Sequence, residues 1–125
     1  MQKILVVDDE RKIRDLYKRL LTLENYEVLE AEDSQTATHL LIREKDIRLI
    51  LLDINMPLID GVMLYNLIRM YDPKIKVIVT SAYTLEDQRR KIVSANDYYD
   101  KSQGTEVLIK KVGNALEKEE KKDVY

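Results

Sequence analysis

Short apolar runs alternate with helix-like stripes from one end of this chain to the other, and that alternation leaves few folds open. Residues 3–7 (KILVV) are apolar and stop at Asp8-Asp9-Glu10. Residues 11–23 follow, with Ile13, Leu16, Tyr17 and Leu20 at helical spacing and expected to face inward. Residues 27–31 alternate weakly, as a strand would, and Asp33 or Ser34 can cap a helix carrying Ala37, Leu40 and Leu41 on one face. Residues 49–52 (LILL) are apolar throughout, the pattern of a parallel strand covered on both faces, and end at Asp53. A loop with Met56-Pro57 and Asp60-Gly61 leads to a helix predicted to turn Leu64, Leu67, Ile68 and Tyr71 inward. Pro73 closes that region, because the residue before a proline avoids the helical basin. Residues 76–80 (KVIVT) are strand-like and end at Ser81, a polar helix is predicted over 85–94, and 97–100 form a short strand ending at Lys101. The last helix starts near Gly104-Thr105 and carries Leu108, Val112, Ala115 and Leu116.

Five strands alternating with five helices imply an α/β fold: a five-stranded parallel sheet with helices on both faces, since each crossover is right-handed and each helix must pack back on the sheet. A length of 125 residues fits one domain. The folded unit is expected over 1–119, with 120–125 as a charged tail; the charge run at 117–123 either extends the last helix or frays. There is no Cys, which removes thiol nucleophiles and zinc–thiolate sites. Net charge is −2, from 21 basic and 23 acidic residues, a balance unlike that of a nucleic-acid-binding domain. No apolar run reaches the roughly 18 residues of a membrane span, and Lys3 in the first strand leaves no room for a signal peptide. The expected location is cytoplasmic.

Polar residues collect where the strands stop. Asp8 and Asp9 close the first strand, Asp53 the third, Ser81 the fourth and Lys101 the fifth. In an open parallel sheet these carboxyl ends share one edge, where ligands bind. Three carboxylates held together repel one another, and a hard divalent cation with oxygen ligands relieves them. One lysine cannot neutralise three acids, but it can sit as a point charge on a phosphoryl oxygen. The pocket therefore suits a metal and a phosphate, with one carboxylate left to act as nucleophile. Asp53, alone on its strand end, fits that part, because Asp8 and Asp9 cannot both accept a phosphoryl group and hold the metal.

The segments ILVVDDE, LILLDINMPLIDG, VIVTSAY and ANDYYDK, each at a strand end and in this order, make the chain resemble the response-regulator receiver domains of bacterial two-component systems. The resemblance covers nearly the whole chain and implies a flavodoxin-like sheet of order 2-1-3-4-5. It implies that Asp53 takes a phosphoryl group from a sensor histidine kinase or a histidine phosphotransfer protein. Asp8, Asp9, Asp53 and the backbone carbonyl of Asn55 would hold Mg²⁺, with Mn²⁺ as a substitute. Ser81 and Lys101 would contact the phosphoryl group, and Ser81 with Tyr98 would form the switch pair. Ser81 is taken over Thr80 because Ala82-Tyr83 follow it and Thr80 points to the opposite face. A downstream protein would bind the helix 4–strand 5–helix 5 face, with no direct nucleic-acid or membrane binding; a homodimer stays open. The module would act in signalling and dephosphorylate itself slowly, without being an enzyme acting on other substrates.

Two positions depart from the family pattern. Ser102 stands where a proline, commonly cis, usually follows the lysine, so a trans bond and a shifted loop are expected. Ser94-Ala95 replace the usual Gly-Ala. Among other functions, an aspartate-nucleophile phosphohydrolase would need an acid two residues after Asp53, where Asn55 cannot transfer protons. A flavin-binding module would need a Ser/Thr/Gly-rich phosphate loop after the first strand. A degenerate receiver kept only for docking would not need the acids and the lysine. His39 is expected on an exposed helix side without a role, and Arg89-Arg90-Lys91 on a solvated one.

Overall fold

The computed structural model describes residues 1–55 and 61–124, with side chains through Glu117. The elements are β1 (Lys3–Val7), α1 (Arg11–Leu23), β2 (Glu27–Ala31), α2 (Ser34–Arg43), β3 (Ile47–Asp53), α3 (Gly61–Tyr71), β4 (Lys76–Ser81), α4 (Leu85–Lys91), β5 (Asp97–Asp100) and α5 (Thr105–Val124). The strands form one parallel sheet in the order β2-β1-β3-β4-β5, as the resemblance implied. The segment Met56-Pro57 to Asp60, expected as a loop, lies outside the described residues.

Two-residue periodicity divides the buried strand side chains between two cores. Ile4, Val6, Leu49, Leu51, Ile78 and Tyr99 pack with Tyr17 and Leu21 of α1 and Leu108, Val112 and Leu116 of α5. Leu5, Val7, Ile50, Leu52, Val77, Val79 and Tyr98 pack on the other face with residues of α2 and α3 and with Ile92 after α4. Because both faces are covered, the centres of β1 and β3 must be apolar, and residues 4–7 and 49–52 are, with Lys3, Arg48 and Asp53 toward the strand ends.

Several helix faces differ from the sequence expectation. On α1, Leu21 is buried and Leu16 is exposed. On α3, Leu64 and Ile68 face inward as expected, but Leu67 (42% exposed) and Tyr71 (50%) do not; Tyr65 is buried instead. The stripe is narrower than the run of apolar residues, so composition alone assigned too many of them to the core. Helix α4 stops at Lys91, short of the expected 94, and Ile92 caps its end. At the other terminus α5 continues through residue 119 to Val124, so the charge run extends the helix.

Local chemistry sets the element boundaries. Asn25 takes φ 67°, with Asn25 N–H donating to Thr22 O and Tyr26 N–H to Leu21 O, which closes α1 with a left-handed residue suited to Asn. Asp33, of the two caps expected, starts α2: its Oδ1 accepts from Thr36 N–H at 2.7 Å. That bond holds the Asp33 carboxyl below its ordinary value. A depressed carboxyl contributes stability above its unfolded pKa and loses it as pH falls through the folded one. Asp33→Ala is expected to cost about 1 kcal/mol at pH 7, with the difference closing in acid below the ordinary value of 3.8; urea melts across pH check both points.

Candidate functional site

The carboxyl edge gathers the acids. Asp8, just past β1, and Asp53, the last residue of β3, are both buried. Lys101, just past β5 and 16% exposed, reaches both: its Nζ lies 2.8 Å from Asp8 Oδ2 and 3.4 Å from Asp53 Oδ2. Parallel strands bring these three residues together although they are spread over most of the sequence. Asp9 and Glu10 are exposed at the rim, and one carboxylate oxygen each from Asp8, Asp9 and Glu10 lies within 4.8 Å of the others. Glu10 was not among the residues expected from sequence; its place in the Asp8-Asp9-Glu10 run is the signal that could have found it.

Backbone groups shape both buried carboxylates. Asp8 Oδ1 accepts from Glu10 N–H at 2.9 Å and Asp53 Oδ1 from Asn55 N–H at 2.9 Å. Asp8 Oδ2 lies at ion-pair distance from Lys101 and has no further partner among the described residues. Burial pushes the Asp53 carboxyl up, helped by the Asp8 charge and opposed by the Asn55 N–H and Lys101. For Lys101, burial pulls the ammonium down, but the contacts with Asp8 and Asp53 outweigh it and the net direction is upward. The lysine therefore stays charged across neutral pH.

Two residues that sequence reasoning missed support this edge. Arg14 of α1 donates from Nη1 to the Asp8 carbonyl at 2.8 Å while its Nε lies 3.4 Å from Glu30, fixing the peptide that joins Asp8 to Asp9. Gly61 begins α3 against the end of β3: a Cβ there would stand 2.5 Å from Ile54 Cα and 3.0 Å from Asp53 O. Only a residue without a side chain lets α3 approach the Asp53 backbone so closely.

Ser81 and Tyr98 stand on the opposite side of the sheet from Thr80. Strand alternation puts Ser81 on the face of Val79, and Val79 pairs with Tyr98 across β4 and β5. Ser81 is buried, and its Oγ accepts from Tyr83 N–H at 3.1 Å, which leaves the hydroxyl proton available. Tyr98 is buried, donating from its hydroxyl to Ile92 O at 2.6 Å and accepting from Ala95 N–H at 3.2 Å. Asn55 is exposed. The Lys101–Ser102 bond is trans, as expected, since there is no cis peptide among the described residues. His39 and Arg89-Arg90-Lys91 are solvent-exposed, in agreement with the sequence.

An open parallel sheet with buried acids and a lysine at its carboxyl edge defines a ligand-binding α/β domain of the doubly wound kind. Residues 4–113 match the family model described as the response regulator receiver domain, and the chain belongs to that family. It is 33% identical over 117 residues to the CAI-1 autoinducer sensor kinase/phosphatase CqsS of Vibrio cholerae, covering 89% of this chain and 17% of that protein. Among solved structures it is similar to the response regulator protein TrrA of Thermotoga maritima in complex with Mg²⁺ and BeF (TM-score 0.82, 35% identity, 92% of this chain and 99% of that one). It is also similar to a CheY-like receiver domain from Methanospirillum hungatei JF-1, with TM-score 0.88 and 27% identity over 98% of both chains. The chain thus spans a small part of CqsS and nearly all of the two solved receivers. No helix among the described residues is long and apolar enough to cross a membrane.

Two stability outcomes follow from the electrostatics. The pKa of Asp53 is raised in the fold, so its contribution is greatest below the unfolded value of 3.8 and is lost as pH rises through the folded one. Asp53→Asn should therefore melt higher than wild type at pH 7 without metal, with the gap shrinking as pH falls; Asp8 still pairs Lys101 in that variant. An equal or lower melting point at pH 7 would show that burial does not dominate this carboxyl. Lys101→Met leaves two buried acids without their cation and should cost about 3 kcal/mol near neutral pH by urea denaturation.

Proposed function

We propose that this receiver domain takes a phosphoryl group on Asp53 and that the modification controls which protein it binds. The observation that carries the reading is the pair of buried carboxylates, Asp8 and Asp53, held by one lysine at the carboxyl edge. Such a pair destabilises a fold compared with apolar residues of similar size, so its presence calls for a chemical use. Asp53 attacks phosphorus in a phosphohistidine or a small acyl phosphate; the new O–P bond forms as the bond to the donor's leaving group breaks. Lys101 balances charge on the phosphoryl oxygens, and Ser81, whose hydroxyl proton is spare, donates to one of them.

The residues at this edge also fit a divalent cation. Asp8 Oδ2 is buried and, beyond the Lys101 ion pair, has no partner among the described residues, and the oxygens clustered around it are the hard ligands that Mg²⁺ prefers. Asp8, Asp9, Asp53 and the Asn55 carbonyl would hold Mg²⁺, or Mn²⁺ in its place. When bound, the ion neutralises charge that builds on the phosphoryl group. Arg14 keeps the Asp8–Asp9 peptide in place for this arrangement. The mixed Mg²⁺–BeF complex of TrrA supports the reading through likeness.

The donor would be a histidine kinase or a phosphotransfer protein, and the output a protein that binds the α4–β5–α5 face. Switching would run from Ser81 to Tyr98, and hydrolysis of the acyl phosphate would reset it. The receiver unit would occupy 1–119, with the end of α5 from 120 onward serving as its charged extension, in a cytoplasmic setting.

Intact mass after incubation with acetyl phosphate tests the reading. Wild type should gain about one phosphoryl mass only with Mg²⁺, and Asp53→Asn none. Lys101→Met should be labelled on the order of 100-fold more slowly. Labelling of Asp53→Asn at the wild-type level would remove Asp53 as the acceptor.

A further inference from the structure

Helix α4 is seven residues long and largely charged (LEDQRRK), yet Gln88 within it is fully buried. An amide in that position is explained by what it bonds. Its Nε2 donates to Tyr83 O in the turn after β4 and to Tyr99 O in β5, both at 2.9 Å. Its Oε1 is buried and has no hydrogen-bond partner among the described residues. The two carbonyl acceptors fix the amide orientation, because the flipped form would set oxygen against oxygen twice. The side chain is thus used as a double donor, and its acceptor is left over.

One amide bond leads to Ser81 through Tyr83, and the other ends on Tyr99, the residue after Tyr98 in β5. Tyr83 is held by both of its backbone groups, since its N–H donates to Ser81 Oγ and its C=O accepts from Gln88. In the other direction, Gln88 C=O accepts from Ile92 N–H at 2.9 Å, and Ile92 C=O accepts from the Tyr98 hydroxyl. Neighbouring α4 cations lie over the same aromatic residues: Arg89 over the Tyr98 ring at 5.3 Å and Lys91 over the Tyr83 ring at 4.8 Å. Little apolar surface of α4 competes with these contacts, so the turn after Ser81 and strand β5 meet at one amide.

We infer that Gln88 is the positioning residue that couples the Ser81 hydroxyl to the Tyr98-Tyr99 segment of β5. The inference rests on the proposed phosphoryl site. When Ser81 Oγ moves toward a phosphoryl group on Asp53, the Tyr83 peptide moves with it, and the amide carries that displacement to the Tyr99 carbonyl and so to the Tyr98-Tyr99 backbone of β5. A residue that only staples α4 to the sheet would hold it equally well in both arrangements and transmit nothing.

The test is ¹H–¹⁵N NMR of the full chain titrated with beryllofluoride and Mg²⁺. In wild type, the Asn55 and Lys101 amides, the Tyr98 and Tyr99 amides, and the Gln88 side-chain NH₂ signals are all expected to shift together. Gln88→Met keeps the length and removes both donors. It should bind beryllofluoride within roughly twofold of wild type while the shifts at Tyr98 and Tyr99 fall by about threefold or more. Full transmission to Tyr98 and Tyr99 in Gln88→Met overturns the inference, even if that variant melts lower. The wild-type side-chain signals give a second readout that needs no variant: if Asn55, Lys101 and Tyr98 shift while the Gln88 NH₂ stays put, the coupling runs elsewhere and the inference fails alone. If no amide near Asp53 responds, the phosphoryl-site reading fails and the inference with it.

Discussion

Two buried carboxylates sharing one ammonium set the terms for the rest of this molecule. Charges of this kind are stable only where strands end, because there the backbone stops pairing and can turn its N–H groups toward the acids. Asp8 and Asp53 each receive one such donor, from Glu10 and Asn55, two residues further on. The cation must then come from a third strand end, and Lys101 supplies it from beyond β5. A parallel sheet is the arrangement that makes all of these ends coincide, and a parallel sheet requires helices on both faces. The need for a charged edge and the need for apolar strand centres are thus two sides of one architecture.

Both faces of the sheet carry apolar cores, but the helices are not all held in the same way. Helices α1 and α5 pack on it through aliphatic and aromatic side chains. Around the α4–β5 connection, by contrast, hydrogen bonds carry much of the contact. Arg69 of α3 donates to the Tyr65 hydroxyl, to Ile75 O and to Asn96 Oδ1, while the Tyr65 hydroxyl donates to Ser94 O. Asn96 Oδ1 also accepts from Val77 N–H. Directional bonds can be exchanged for others in a second arrangement, whereas buried apolar area is lost whenever it is exposed. The α4–β5 corner, held by directional bonds, is therefore the part that can change state at low cost.

The fold and the acid edge were legible because each rests on a strong local signal. Continuous apolar runs marked β1 and β3, and the polar residues Asp8, Asp9, Asp53, Ser81 and Lys101 at the ends of four strands survived as a pattern across the sequence. Helix faces were less legible: on α3, Leu67 and Tyr71 fit the periodicity as well as Tyr65 does, and only the position of Arg69 and Ser94 explains why Tyr65 turns inward. Gln88 and Arg14 were invisible for a related reason. Both act through backbone carbonyls outside their own helices, and a carbonyl leaves no trace in the sequence. The short α4 was missed because residues 92–94 carry no strong helix-breaking residue.

The departure at Ser102 shows how one local constraint can replace another. The family pattern places proline there, which restricts the backbone next to the lysine by its ring. Here Ser102 N–H, a donor that proline lacks, bonds to Asp100 Oδ1 at 2.9 Å. Gln103 N–H donates to Asp100 O at 2.8 Å, and Asp100 N–H donates back to Gln103 Oε1 at 3.2 Å. The Tyr99 hydroxyl reaches Gln103 O from the α1–α5 face. Lys101 is thus enclosed by a turn whose neighbours are tied on both sides, and its N–H donates to Ser81 O at 2.8 Å. Because these bonds restrain the backbone around the lysine, the ring is not needed to aim its ammonium at the two acids. Asp100, at the end of β5, is accordingly the residue on which the position of the lysine depends.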